Sequence, residues 1–181
     1  MLTQLRLLIS MLNISMLVKW VPVETSMQDT YEMPGHLARR FQQIAVAVFL
    51  AEVEQAGYDL TPVQYAALAA ITGNPGIDQV TLAGLIAYDR TTITGVVDRL
   101  VQKGLVERHE SSRDRRAREL KVTPAGRETL SGITPAVEAA QRTMLRGLTQ
   151  KEAKELARLL QKAIASGNEL SRAPLRNTTT S

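Results

Sequence analysis

The sequence predicts a mainly α domain that carries a helix-turn-helix followed by a two-stranded β-hairpin. Three observations lead there. Ala (21) and Leu (23) dominate the 181 residues while aromatics are only 4%, and Ala and Leu lose little side-chain freedom in a helix. After residue 34, apolar residues recur at spacings of three and four, the period of a helix with one buried face. One stretch, 105–122, switches to alternation on both sides of a polar tip, which reads as two strands. With 44% hydrophobic and 22% charged residues, the chain can bury a core, and its length suits one ordinary domain or two very small ones. A disordered chain is excluded as the main reading.

Residues 1–33 stand apart. Leu2, Leu5, Leu7, Leu8, Ile9, Met11, Leu12, Ile14, Met16, Leu17 and Val18 form an apolar run broken by Arg6, Ser10, Asn13 and Ser15. It is too short and interrupted to span a membrane. As a signal peptide it has one leading charge and no small-x-small cleavage site, Lys19-Trp20-Val21-Pro22 following instead. Met11, Met16, Met27 and Met33 offer alternative starts. The preferred expectation is an extension, flexible or translated from an upstream start; a docked helix that helps dimerise and a targeting segment are the alternatives.

From Pro34 the pattern is regular. Leu37, Phe41, Ile44, Val48 and Ala51 mark a helix over 35–56, with Gly57 as its C′ residue. Thr61-Pro62-Val63-Gln64 is a capping box with Pro at the first helical position, and that helix stops at Gly73-Asn74-Pro75-Gly76. Val80, Leu82, Ala83, Leu85 and Ile86 give a short helix over 78–87. After a break at Tyr88-Asp89-Arg90, Ile93, Val96, Val97, Leu100 and Val101 give another over 91–103, with Thr91 as its expected N-cap and Gly104 as its end. Two short helices joined by a tight turn outline a helix-turn-helix. Strands are expected at 105–109 and 118–122, around a tip at 110–117. Thr123-Pro124 opens a helix to about Gly147 that Pro135 should kink or divide. Thr149-Gln150-Lys151-Glu152 is a second capping box, leading a helix with Leu156, Leu159, Leu160 and Ile164 to about Gly167. The polar tail is expected to be disordered.

Charge placement says more than net charge. Residues 90–127 hold ten Lys/Arg against five Asp/Glu, a net of +5 where the whole chain carries +4. No cysteine is present, so disulfides, thiolate metal sites and a Cys nucleophile or redox sensor are excluded. His36 and His109 lie far apart, and no GxSxG, phosphate loop, HExxH or GxGxxG occurs. No enzyme activity, metal site or cofactor is expected.

A helix that reads DNA needs small polar residues at its N-terminus, where it meets base edges and phosphates. The sequence there is Arg90-Thr91-Thr92-Ile93-Thr94-Gly95. The threonines can donate to phosphates or touch thymine methyls, and Gly95 allows close backbone approach; the helix dipole adds partial positive charge. Arg99 and Lys103 lie further along, to reach the backbone or simply to be solvated. The hairpin tip, Ser111-Ser112-Arg113-Asp114-Arg115-Arg116-Ala117-Arg118, can deliver an arginine to a narrow, strongly negative groove. Of its four arginines, Arg113, Arg115, Arg116 and Arg118, one is expected in the groove and one held by Asp114.

Leu82-Ala83-Gly84-Leu85, then Asp89-Arg90-Thr91-Thr92-Ile93-Thr94-Gly95-Val96-Val97-Asp98-Arg99-Leu100 running on to Gly104-Leu105-Val106-Glu107-Arg108, resembles the MarR family of bacterial repressors. So does Arg113-Asp114-Arg115-Arg116-Ala117 with Leu120-Lys121-Val122-Thr123-Pro124-Ala125-Gly126. Within the family the sequence looks most like repressors of aromatic and heterocyclic acid catabolism, those of nicotinate degradation included. The resemblance implies a cytoplasmic winged helix-turn-helix homodimer, with the DNA-binding region at 60–123 and dimerisation helices at 34–57 and 124–168, followed by a tail at 169–181. Two recognition helices and two wings would address one palindromic operator on double-stranded DNA. The resemblance also implies a small aromatic or heterocyclic carboxylate as effector, such as a nicotinate-pathway compound. Such a ligand needs a flat apolar slot and a cation or donor for its carboxylate. His36, Arg39 and Arg40 are candidates for the second, Tyr58 and Tyr65 for the first; Tyr65 as ordinary core and the arginines as solvated surface are the competing readings. An effector-independent architectural DNA-binding protein is the alternative function.

Overall fold

The computed structural model describes residues 27–110 and 118–176, and it divides into a unit at 1–39 and a unit at 40–181. The first contains α1 (Met27–Glu32) and the start of α2 (Pro34–Gln55), where the Tyr31 ring meets the His36 ring edge-on at 5.2 Å. Within the expected N-terminal extension, then, the last residues form a short helix; residues 1–26 lie outside the described residues.

In the second unit, α2 continues into α3 (Pro62–Gly73), α4 (Gln79–Leu85), α5 (Arg90–Gln102), β1 (Val106–Glu110), β2 (Arg118–Val122), α6 (Pro124–Met144) and α7 (Gln150–Gly167), with a 3-10 turn at Asn168–Leu170. The caps explain the helix starts. Thr61 and Gln64 form the expected reciprocal capping box on α3, and Thr149 and Glu152 do the same on α7. Thr123 caps α6 by accepting from Gly126 N. The α4–α5 pair is capped by two aspartates. Asp78 accepts from Val80 N and Thr81 N. Asp89, not the expected Thr91, caps α5, accepting from Thr92 N at 2.9 Å and from Thr92 Oγ1 at 2.6 Å. The carboxylate reaches the third residue of the helix, which the shorter Thr91 side chain, one residue inside the helix, does not need to do.

The helix-turn-helix packs as its apolar period demands. Leu68 and Ile71 of α3, Leu82 of α4, and Ile93, Val97 and Leu100 of α5 are fully buried with Val106 and Leu120 of the hairpin and Ile133 of α6. Burying one such side chain stabilises the fold by about 1.5–3 kcal/mol. β1 and β2 are antiparallel, Val106 facing Val122 and Glu110 facing Arg118. A third edge was not expected: Leu120 N donates to Ile77 O (2.9 Å) and Gly76 N to Leu120 O (3.3 Å), so the α3–α4 loop pairs with β2. The hairpin tip, residues 111–117, lies outside the described residues.

Two further expectations concern α6 and the tail. α6 runs from Pro124 to Met144 as one helix, so of the kink or division expected at Pro135 the division does not occur. The tail is not disordered over its first residues. Leu175 N donates to Asn168 Oδ1 (2.8 Å), Asn168 Nδ2 donates to Leu175 O (3.2 Å), and Arg176 N donates to Gly84 O (2.9 Å). A side-chain amide that clasps a later residue's backbone closes a local turn, which polar composition alone does not reveal. Residues 177–181 lie outside the described residues.

Candidate nucleic-acid interface

The exposed end of α5 is built by the residues around it. Arg90, Thr91, Thr92, Thr94, Gly95 and Arg99 are all exposed, while Ile93, Val96, Val97 and Leu100 face the core. The alternation follows from the 3.6-residue period, which leaves the first turn and one long face outside. The hydroxyls are not loose. Thr92 Oγ1 donates to Asp89, and Thr94 Oγ1 donates to Arg90 O (2.9 Å) while accepting from Gln79 Nε2 at 2.7 Å. Gln79 opens α4, so this bond ties the two helices of the motif together at their exposed ends. Thr91 is the threonine of this group with no such tie among the described residues. A Cβ built on Gly95 would meet nothing within 4 Å, which leaves that face bare for a large partner.

Electrostatics keep the caps charged. Hydrogen bonds from the Thr92 side chain and backbone hold the Asp89 carboxyl below its ordinary value. For Asp78, partial burial pushes upward, but bonds from Thr81 and Val80 outweigh it and the net direction is down. The far end of α5 is clamped as well. Lys103 Nζ donates to Asp59 Oδ2 at 2.6 Å and to Asp59 O, and Arg108 of β1 donates to Asp98 of α5 at 2.5 Å. The second pair couples the hairpin to α5. Of the proposed tip residues, Arg113, Asp114, Arg115 and Arg116 lie outside the described residues.

These contacts form a helix-turn-helix with a hairpin directly behind it and a bare, cation-bearing helix end. The MarR family model matches residues 58–117, which span the helix-turn-helix and the first strand of the hairpin. The transcriptional regulator HosA of Escherichia coli is 31% identical over 104 residues, covering 58% of this chain and 77% of HosA. The chain belongs to the MarR family. MarR family members are DNA-binding transcriptional regulators, not enzymes, and the winged helix-turn-helix fold follows. Two solved structures are similar over most of their length. One concerns regulation of DNA binding of Bordetella bronchiseptica BpsR by 6-hydroxynicotinic acid (29% identity, 74% of this chain and 94% of that one, TM-score 0.69). The other is the transcriptional repressor CouR bound to a 23-mer DNA duplex (26% identity, 79% and 98%, TM-score 0.67).

Sequence reasoning missed Gln79, Asp89, Asp98 and Arg108 at this MarR-type interface. Asp89 carried a usable signal, since aspartate just before an apolar-periodic helix is a preferred N-cap. The two cross-element pairs carried none, because they depend on tertiary placement.

The proposed effector residues fall in both units. His36, half-buried, and Arg39, exposed, belong to the N-terminal unit. Arg40 is exposed and donates to Gln43 Oε1 (3.3 Å). Tyr65 is half-buried with its ring 6.0 Å from that of Phe49. Phe49 stands nine residues after Arg40 on α2, about 13 Å along the axis. Tyr58 places its hydroxyl in the space a Cβ on Gly132 would take. It also lines a cavity of about 360 Å³ with Leu50, Val53, Leu60, Glu54 and Asp59. Among the described residues no group of three or more His, Asp or Glu could hold a metal, and no helix is long and apolar enough to cross a membrane.

Proposed function

We propose that the protein is a cytoplasmic homodimeric repressor that binds a palindromic operator and is released by a small aromatic or heterocyclic carboxylate. The observation that carries the dimer is α7. Its polar and apolar residues segregate sharply, yet no residue of it is buried, and Leu159, Leu160 and Ile164 are 48%, 39% and 60% exposed. An amphipathic helix keeps such a stripe in water only until a partner covers it. Ile44 and Leu50 of α2 are exposed in the same way, which supports helices at both ends of the chain as the dimer interface. A two-fold dimer then presents two recognition helices roughly 34 Å apart, one DNA turn, and so matches a palindrome.

DNA contact is assigned to Arg90, Thr91, Thr94, Gly95 and Arg99 on α5, with Thr92 acting through the Asp89 cap. The tip residues Arg113, Asp114, Arg115 and Arg116 are assigned to the wing. The effector class is supported by the BpsR structure, whose DNA binding is regulated by 6-hydroxynicotinic acid. For the effector, the assignment is that Arg40 or His36 holds the carboxylate while Tyr58 or Tyr65 lines the ring.

Light scattering at micromolar concentration tests the dimer, and a monomer there refutes it. Calorimetric titration of 6-hydroxynicotinic acid and hydroxybenzoates, with and without operator, tests the effector. Linkage requires operator to weaken effector binding by the factor by which effector weakens operator binding. Equal affinities in the two titrations refute allosteric release. A sharp footprint with strong preference over random DNA distinguishes a repressor from an architectural protein.

A further inference from the structure

The first residues of the tail dock on the DNA-binding motif. Arg176 N donates to Gly84 O at 2.9 Å, a last-turn carbonyl of α4 that also accepts from Ala87 N at 3.3 Å. A Cβ on Gly84 would lie 3.2 Å from the Arg176 Cβ and 3.4 Å from its Cδ, so the Arg176 stem rests where α4 has no side chain. Asn168 clasps Leu175, and Ser171 Oγ accepts from Ala173 N (3.1 Å), so the segment has a set shape. Between it and the turn of the motif lies a cleft of about 190 Å³ whose lining includes Tyr88, Asp89, Arg90, Arg172 and Arg176.

The charges in that cleft are unbalanced. Arg90, Arg172 and Arg176 are exposed, and none forms an ion pair with another described residue. The carboxylate there, Asp89, is already committed to Thr92 N and Oγ1. Three guanidinium groups around one small cleft repel one another unless an anion lies against them, and guanidinium suits phosphate. Arg90 is the first residue of the recognition helix. We infer that the C-terminal segment is a third DNA-contacting element, with Arg172 and Arg176 set beside Arg90 to take phosphates flanking the bases that α5 reads. The inference rests on the DNA-binding reading. An acidic segment over the same cleft would neutralise the arginine and screen it from DNA; a basic segment adds to it.

Four full-length chains test it: wild type, Arg172→Ala/Arg176→Ala, Arg172→Lys/Arg176→Lys, and Gly84→Leu, each checked for folding by circular dichroism. Binding to a fluorescent random-sequence duplex of about 30 base pairs is followed by anisotropy between about 50 and 200 mM KCl. Each lost phosphate contact lowers the slope of log affinity against log salt by about 0.9. The double alanine variant should lose about 1.8 per protomer, about 3.6 for the proposed dimer, so its affinity should fall about 150-fold less across that salt range. The lysine variant should keep most of the slope, since phosphate neutralisation needs charge. Gly84→Leu should lose slope with both arginines present, because the tail loses its seat. An unchanged slope in the double alanine variant overturns the inference, as does tighter binding, which would make the segment a cover. If the wild type itself does not bind duplex at the lowest salt, the DNA-binding reading fails, a distinct result that takes the inference with it.

Discussion

Gly95 is the sharpest place to separate stability from DNA binding. It sits inside the thirteen-residue α5, is exposed, and a Cβ added there meets nothing within 4 Å. Gly95→Ala therefore carries no packing penalty, and the helix-propensity difference acts alone. That difference favours Ala by about 0.8–1 kcal/mol in a helix interior, which raises Tm by about 2–4 °C for a chain of this size. If the same face lies against DNA, the methyl group meets the duplex. Overpacking a close contact costs about 1–3 kcal/mol, or roughly 5- to 150-fold in Kd. Stability and affinity should thus move in opposite directions, which rules out partial unfolding as the cause of weaker binding. Thermal unfolding and operator anisotropy on the same preparation provide the two readings. A variant that melts higher and binds operator as tightly as wild type refutes the placement of this face on DNA.

Other residues give equally direct checks. A Cβ on Gly126 would run into the Leu105 carbonyl and stand 2.8 Å from a Val122 methyl, so Gly126→Ala must move backbone and should cost about 3 kcal/mol or more, read as a lower midpoint in urea. Asp89 has a folded pKa below its ordinary value of 3.8, so its contribution is present above that value and lost as pH falls through the folded pKa; Asp89→Asn, which still caps but does not titrate, should flatten the acid limb of the pH–stability curve, and an unchanged limb counts against the cap's role. Arg113→Ala and Arg115→Ala should weaken binding on all sequences and reduce the salt slope by about one unit per lost phosphate contact. If neither changes the slope, the hairpin tip is not a DNA contact.

Much of the fold was legible because local signals agreed. Both Thr-led capping boxes appear where the sequence placed them, and the buried faces of α3 and α5 follow their apolar spacing. The misses share a cause. Pro135 lies within one helix because it stands mid-helix with tertiary packing on either side, Ile133 and Ala136 both being buried, and packing overrides propensity. The tail's docking and the Asp98–Arg108 pair join residues far apart or on different elements, and no local period records them. The effector residues were chosen by type alone. The acidic lining beside Tyr58 was invisible until Glu54 and Asp59 came together across the α2–α3 turn.

The clamps on α5 constrain how an effector could act. At its N-terminal end Thr94 is tied to Gln79, and at its C-terminal end Lys103 and Asp98 are tied to Asp59 and Arg108. Exposed pairs of this kind add little stability, typically below about 1 kcal/mol each, so their consequence is geometric. With its buried face locked into the core and both ends held, α5 cannot slide or rotate alone; it must move with α4 and the hairpin. Asp59 connects this body to the cavity beside Tyr58, because the residue that lines the cavity also holds the last turn of the recognition helix. A ligand that displaced Asp59 would therefore act on the whole DNA-binding body at once. In the proposed homodimer it could release DNA only by favouring a spacing of the two DNA-binding bodies that misfits the operator. Side chains at the end of α5 proposed to read bases need not change for that to happen, which predicts that sequence preference and effector response are set by different residues of the same helix.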